Sequence, residues 1–266
     1  MIPINFILGF ARSGTTLTMG LCRTHPEIET DVQEPNHVYR LINSIFLNYK
    51  GYKDEMGLSM NEVHRMYFES VADFTQVYYR RLCEKTGKNV VVLKHPWLTR
   101  WMERLGTTYN DCKMLVMLRH PYDVVASSMH MSEINKSAKK MFGGENNVDK
   151  ICEQYAEHMS AVLTHAPRFE KSGRCKLVKY EDILKDPIKN VKDIFEFYGV
   201  DSNLEIVNDV LEKAQKNVAS LRGVCLSRTD FYKPKDKWST RLDEHQRQRI
   251  RALISPLVYH FGYEEK

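Results

Sequence analysis

No apolar run in this sequence approaches the ~18 residues that a membrane-spanning helix needs, and no basic leader with an apolar core precedes the first apolar segment. These absences predict a cytoplasmic chain with no membrane partner. The six cysteines, at positions 22, 83, 112, 152, 175 and 225, form no C-x-x-C pair and no metal-ligand spacing. Free thiols in a reducing compartment are expected, and with no H-x-x-H or carboxylate cluster no metal is expected either. Charge of one sign is in short excess: 39 lysines and arginines against 34 acidic residues leave a net +5. That suits an anionic small ligand but is too small and too spread out to argue for nucleic acid. Nor do aromatics interleave with a basic patch as RNA modules require. What is present is 266 residues with 42% hydrophobic content, enough to bury one substantial core, and a single domain over residues 1–266 is expected.

Short apolar runs alternate with helical patterns along the chain. Residues 4–8, 89–93, 114–118 and 175–179 read as strands. Helices are expected at about 37–48, 59–85, 121–131, 188–198, 203–217 and 243–259, with another carrying Ile151 to Phe169. The helix at 59–85 opens with Ser59 and, three residues on, Glu62, a capping box. Its Val63, Met66, Tyr67, Val71, Phe74, Val77, Tyr78 and Leu82 keep helical spacing and predict the core-facing side. Residues 132–147 have no period and contain Gly143-Gly144 and Asn146-Asn147, which predicts a mobile loop or lid. Continuous apolar strands separated by helices predict an α/β three-layer sandwich around a parallel sheet. Ligands of such sheets sit at the carboxyl ends of the strands. Arg12, Lys94 and Arg119 each lie just past or at a strand end, so they are expected on one rim.

The first strand breaks into Gly9-Phe10-Ala11-Arg12-Ser13-Gly14-Thr15-Thr16-Leu17. Glycines let the backbone turn and approach an anion, and the N–H groups and dipole of the helix that follows favour negative charge. The Gly9-x4-Gly14 spacing matches the first half of the nucleotide P-loop, but Thr15 stands where the P-loop lysine belongs. A phosphate cradle without that lysine disfavours an ATP-using kinase. Further on, Arg119 at a strand end and Ser127 on the next helix are eight residues apart, close enough to reach one phosphate.

Together these segments resemble sulfotransferases that use 3′-phosphoadenosine 5′-phosphosulfate (PAPS). Phe10-Ala11-Arg12-Ser13-Gly14-Thr15-Thr16-Leu17 is similar to their 5′-phosphosulfate loop, and Leu118-Arg119-His120-Pro121-Tyr122-Asp123-Val124-Val125-Ala126-Ser127-Ser128 to their 3′-phosphate segment. Lys179-Tyr180-Glu181-Asp182-Ile183-Leu184 and Lys237-Trp238 agree with later family stretches. The resemblance implies a P-loop-like core and PAPS as donor co-substrate. Arg12, Ser13, Gly14, Thr15, Thr16 and Leu17 would hold the phosphosulfate, Arg12 also stabilising the leaving phosphate, with Lys94 as a second cation. Arg119 and Ser127 would bind the 3′-phosphate, with Tyr180 near the adenine. The family's C-terminal R-K-G clamp is absent as such; Arg222-Gly223, Lys233, Lys235, Lys237 and Trp238 are the candidates to replace it. The loop wording and the Glu34-Pro35 break look closer to the tyrosylprotein and carbohydrate branch than to the cytosolic phenol branch.

The resemblance leaves two candidates for the general base. Glu34 occupies a position similar to the catalytic glutamate of the tyrosylprotein and carbohydrate enzymes, and His95 lies near the histidine of the cytosolic ones, one residue early. Glu34 is the expected base and His95 a supporting contact. The acceptor is expected to be a small molecule or carbohydrate presenting a hydroxyl or amine, walled by residues 36–86 and 132–147. Tyr39, Phe46, Tyr67, Phe74, Trp97 and Trp101 are available for lining. A small-molecule kinase or a non-catalytic nucleotide-binding protein are the alternatives, and the oligomeric state is open.

Overall fold

The computed structural model describes residues 1–31, 38–40, 57, 59–217 and 238–264. In chain order the helices are α1 (Thr15–Thr24), α2 (Met60–Thr86), α3 (Met102–Thr108), α4 (Pro121–Ile134), α5 (Lys136–Met141), α6 (Val148–Lys171), α7 (Tyr180–Lys185), α8 (Pro187–Tyr198), α9 (Leu204–Asn217), α10 (Trp238–Arg241) and α11 (Glu244–His260), with a 3-10 helix at Pro96–Trp101. Strands β1 (Ile4–Leu8), β2 (Ile28–Glu29), β3 (Val90–Lys94), β4 (Met114–Leu118) and β5 (Cys175–Lys179) form one sheet in the order β2-β3-β1-β4-β5. Every pairing is parallel, with Phe6 opposite Leu93 on one side and Met114 on the other.

Every residue of β1, β3 and β4 is buried, as continuous apolar runs demand when a sheet is covered on both faces. Alternate side chains divide the core. Phe6, Leu8, Leu93 and Val116 join one cluster with α2, α4, α6 and α11, while Ile7, Val92, Leu115 and Met117 join another with α1, α8 and α9. The three-layer sandwich follows from that alternation. From central β1 the chain runs to β2 and β3 on one side and then crosses to β4 on the other. The carboxyl end of β1 therefore sits at the switch point, where α/β sheets open a crevice.

Two expectations are corrected. Helix α2 has its capping box: Glu62 N donates to Ser59 Oγ at 3.3 Å, and Ser59 N donates to Glu62 Oε2 at 2.9 Å. Of the expected residues Val71 is buried and Tyr67 and Leu82 pack partly buried against the core, but the rest of the inward face is Phe68, Thr75, Tyr79 and Cys83, while Met66, Phe74, Val77 and Tyr78 are roughly half exposed. Hydroxyls explain the rotation. Tyr79 donates to Asp31 Oδ2 at 2.7 Å and Tyr109 donates to Thr75 Oγ1 at 3.1 Å, so polar atoms go inside with partners, which apolar periodicity cannot register. The stretch 132–147, expected as a loop, is largely ordered structure. Helix α4 runs to Ile134, and Asn135 caps α5 by accepting from Ala138 N at 2.9 Å. Ala138 and Phe142 are buried in the core, leaving the turn to Gly143 and Gly144. Of the helix expected at about 37–48, residues 38–40 are helical and the rest lies outside the described residues.

Helix α6 buries His158 between the rings of Phe10 and Trp97, with centroids 5.3 and 4.9 Å away. Its Nδ1 lies 2.7 Å from the Gln154 carbonyl, a bond the imidazole makes as donor. Burial disfavours the charged ring and pushes its pKa down to about 4 from 6.5. The unfolded chain then takes up a proton that the folded one refuses. His158 leaves stability intact above about pH 6.5 and removes up to about 3 kcal/mol as pH falls toward 4. Thermal melts of His158→Gln should show a flatter acid slope between those limits than wild type. Identical slopes would exonerate this residue.

Candidate active site

The loop after β1 is built on close approaches. Gly9 has φ 126°, and a Cβ there would meet the Met117 carbonyl of β4 at 2.5 Å, so only glycine fits. Thr99 fixes it from the other side: Gly9 N donates to Thr99 Oγ1 at 2.8 Å, and that hydroxyl is 3.1 Å from the Gly9 carbonyl. Arg12 stands at φ 73°, a left-handed conformation that a non-glycine residue adopts only when its surroundings hold it. Gly14, at φ 96°, precedes α1, whose start has no side-chain cap among the described residues and no acidic residue in its first turn. Its first N–H groups and its dipole are thus directed at the crevice. A Cβ on Gly14 would lie 2.5 Å from Tyr180 Cδ2. Gly14→Ala should therefore cost about 1–3 kcal/mol in backbone strain and displace Tyr180 from the loop. A melting temperature and nucleotide affinity equal to wild type would show that the loop tolerates a side chain there.

Among the described residues three cations meet this loop. Lys94, the last residue of β3, is buried with Nζ 3.5 Å from Thr16 Oγ1. Arg12 Nε donates to Ser127 Oγ on α4 at 3.1 Å. Arg119, just past β4, donates from Nη1 to the Arg12 carbonyl at 3.1 Å, and its Nη2 is 3.5 Å from Asp123 Oδ1. The Tyr180 ring lies against the Arg119 guanidinium, 4.9 Å from centroid to carbon. Clustered cations beside free helix N–H groups make a site for phosphate-like anions. Beside the loop is a cavity of about 320 Å³ reached by Arg12, Thr15 and Thr16 on one side and by Trp97, Met131 and Phe142 on the other.

A model described as the Sulfotransferase family matches residues 3–203. The chain belongs to that family. Protein-tyrosine sulfotransferase 1 of Danio rerio is 22% identical over 99% of this chain and 73% of its own length. The sulfotransferase domain of the Synechococcus PCC 7002 olefin synthase superposes with a TM-score of 0.62 at 18% identity, covering 99% of this chain and 96% of that one. Mouse sulfotransferase SULT7A1 complexed with PAP gives 0.57 at 16% identity, covering 97% and 85%. At these identities the structural likeness is one of fold. The chain spans 66% and 73% of the length of curated relatives that it matches almost end to end.

Within this sulfotransferase, Arg12, Ser13, Gly14, Thr15, Thr16, Lys94, Arg119, Ser127 and Tyr180 gather at the carboxyl end of the sheet. Leu17 packs instead against the apolar layer beneath α1. Trp238 is buried against His120, 6.0 Å away and nearly parallel, with the Arg247 guanidinium 5.2 Å from its ring. His95 is buried and stacked on Tyr39 at 4.3 Å. Trp97 lines the cavity, whereas Trp101 packs on Phe68 and Phe74 is half exposed on α2. Glu34, Phe46, Arg222, Gly223, Lys233, Lys235 and Lys237 lie outside the described residues. Two residues of the site have no counterpart among the sequence-derived candidates. Asp123, one helical turn from Arg119, was readable as an i,i+4 partner, whereas Thr99 reaches Gly9 through tertiary packing alone. None of the described helices is long and apolar enough to cross a membrane.

Proposed function

We propose that this sulfotransferase moves a sulfuryl group from PAPS to the hydroxyl or amine of a small-molecule acceptor and releases 3′,5′-bisphosphoadenosine. The observation that carries this reading is the junction of Arg12 and Arg119 through the Arg12 carbonyl. It sets one guanidinium near the helix start and another at the end of β4, which suits a nucleotide with phosphates at both ends. Among the described residues the buried Nε of Arg119 meets no hydrogen-bond partner, and a phosphate oxygen would satisfy it. The PAP complex of the mouse relative agrees with this donor class.

PAPS supplies the sulfuryl group already bonded to a phosphate leaving group. Arg12 and Lys94 hold that end and offset the negative charge that gathers on it, and the N–H groups and hydroxyls of Thr15 and Thr16 donate to it. Arg119 and Ser127 take the 3′-phosphate, and Tyr180 lies beside the nucleotide. Glu34 accepts the acceptor proton, with His95 in support. With Arg12 and Lys94 providing the charge that Mg²⁺ provides in kinases, turnover should survive a chelator. The decisive experiment supplies PAPS labelled in its sulfuryl group together with a panel of acceptors. Label on an acceptor and matching release of bisphosphoadenosine are expected; ATP consumption with an absolute Mg²⁺ requirement would transfer the assignment to a kinase.

A further inference from the structure

The walls of the cavity beside the loop differ in character from the loop itself. Trp97, Met131, Met141 and Phe142 are apolar, and Arg12 is the one charged side chain among the described residues that line it. Polar groups away from the loop come from Asn135 and Ser137. Asn135 Oδ1 is already engaged as the cap of α5, accepting from Ala138 N at 2.9 Å. Lys136 and Lys140 of α5 are exposed and do not line the cavity. At about 320 Å³ the space lies at the small end of ligand cavities, roughly 300–1,000 Å³.

We infer that the acceptor is a small, uncharged, mostly apolar alcohol or phenol seated against Trp97 and the corner between α4 and α5. This rests on the sulfuryl-transfer reading above. It runs against the loop wording, which resembles the tyrosylprotein and carbohydrate branch. A sugar ring brings several hydroxyls, and each one buried against these apolar walls without a partner is a desolvation penalty. A tyrosine in an acidic peptide brings carboxylates, and among the described residues lining the cavity the one cation to meet them is Arg12. An apolar ring, by contrast, finds a flat wall in Trp97, braced edge-on by His158 at 4.9 Å and Phe10 at 6.4 Å. Met131 and Met141 can adjust around it, because thioether chains are flexible and polarisable. Its single hydroxyl is then directed toward Arg12, Thr15 and Thr16.

The test measures binding of three probes to the protein saturated with bisphosphoadenosine: 2-naphthol, N-acetylglucosamine and a tyrosine peptide flanked by glutamates. 2-Naphthol should bind most tightly. Met141→Glu and Ser137→Trp should each weaken it at least tenfold while changing bisphosphoadenosine affinity less than twofold. Tighter binding of the sugar or the peptide, or naphthol binding indifferent to both substitutions, would overturn the assignment of acceptor class while leaving sulfuryl transfer standing. Failure of the wild-type protein to bind bisphosphoadenosine would instead remove the sulfuryl-transfer reading, and this inference with it.

Discussion

Glu34→Gln should lower turnover by about 10²–10⁴-fold, the usual cost of losing a general base, while leaving bisphosphoadenosine affinity nearly intact. Glutamine keeps the shape and the hydrogen-bonding capacity of the side chain but cannot take the proton. Parallel strand β2 ends on the same rim as the phosphate loop. Strand β2 ends at Glu29, and two residues on the Asp31 carbonyl accepts from Arg23 Nη2 of α1 at 2.6 Å while its carboxylate accepts from Tyr79. His95→Ala should cost less, because that ring is buried and stacked on Tyr39. Single-turnover rates of the two variants decide between them. If Glu34→Gln is near wild type and His95→Ala is the crippled one, the base is His95 and the branch resemblance of the loop has misled.

Arg119→Ala should erase most of the preference for 3′,5′-bisphosphoadenosine over 5′-AMP, a loss of about 10²-fold or more in relative affinity. The scale comes from charge-assisted hydrogen bonds, about 1.5–3 kcal/mol each and often paired when arginine meets phosphate. Arg119→Lys should restore only part of it, since an ammonium cannot present two parallel donors or lie flat on Tyr180. Titration calorimetry with both nucleotides reads the preference directly. Equal affinity of the unaltered protein for the two would sink the assignment of the 3′-phosphate site.

Much of this arrangement was legible in the sequence because it depends on local chemistry. The runs that became β1, β3 and β4 are apolar throughout, and glycines mark where the loop must turn, so the shared rim of Arg12, Lys94 and Arg119 followed from strand ends alone. What escaped depends on tertiary partners. The inward face of α2 is decided by hydroxyls that find Asp31 and each other. The corner of α4 and α5 is ordered by the Asn135 cap and by Ser132, whose Oγ accepts from Asn146 N at 3.1 Å, rather than by an apolar period. The hydrogen bond from Arg12 Nε to Ser127 Oγ, which joins the groups proposed for the two phosphates, also went unread. No spacing rule links residues so far apart in the chain.

The bond from Arg119 to the Arg12 carbonyl bears on how mutations in this site combine. Arg12 is held in a left-handed backbone conformation, and Arg119 is one of the groups holding it there. Removing Arg119 thus takes away a cation and also loosens the geometry from which Arg12 reaches Ser127. The free-energy changes of Arg119→Ala and Ser127→Ala should not sum in the double variant, with a coupling of about 0.5–3 kcal/mol, because each side chain is measured against a loop that the other helps to hold.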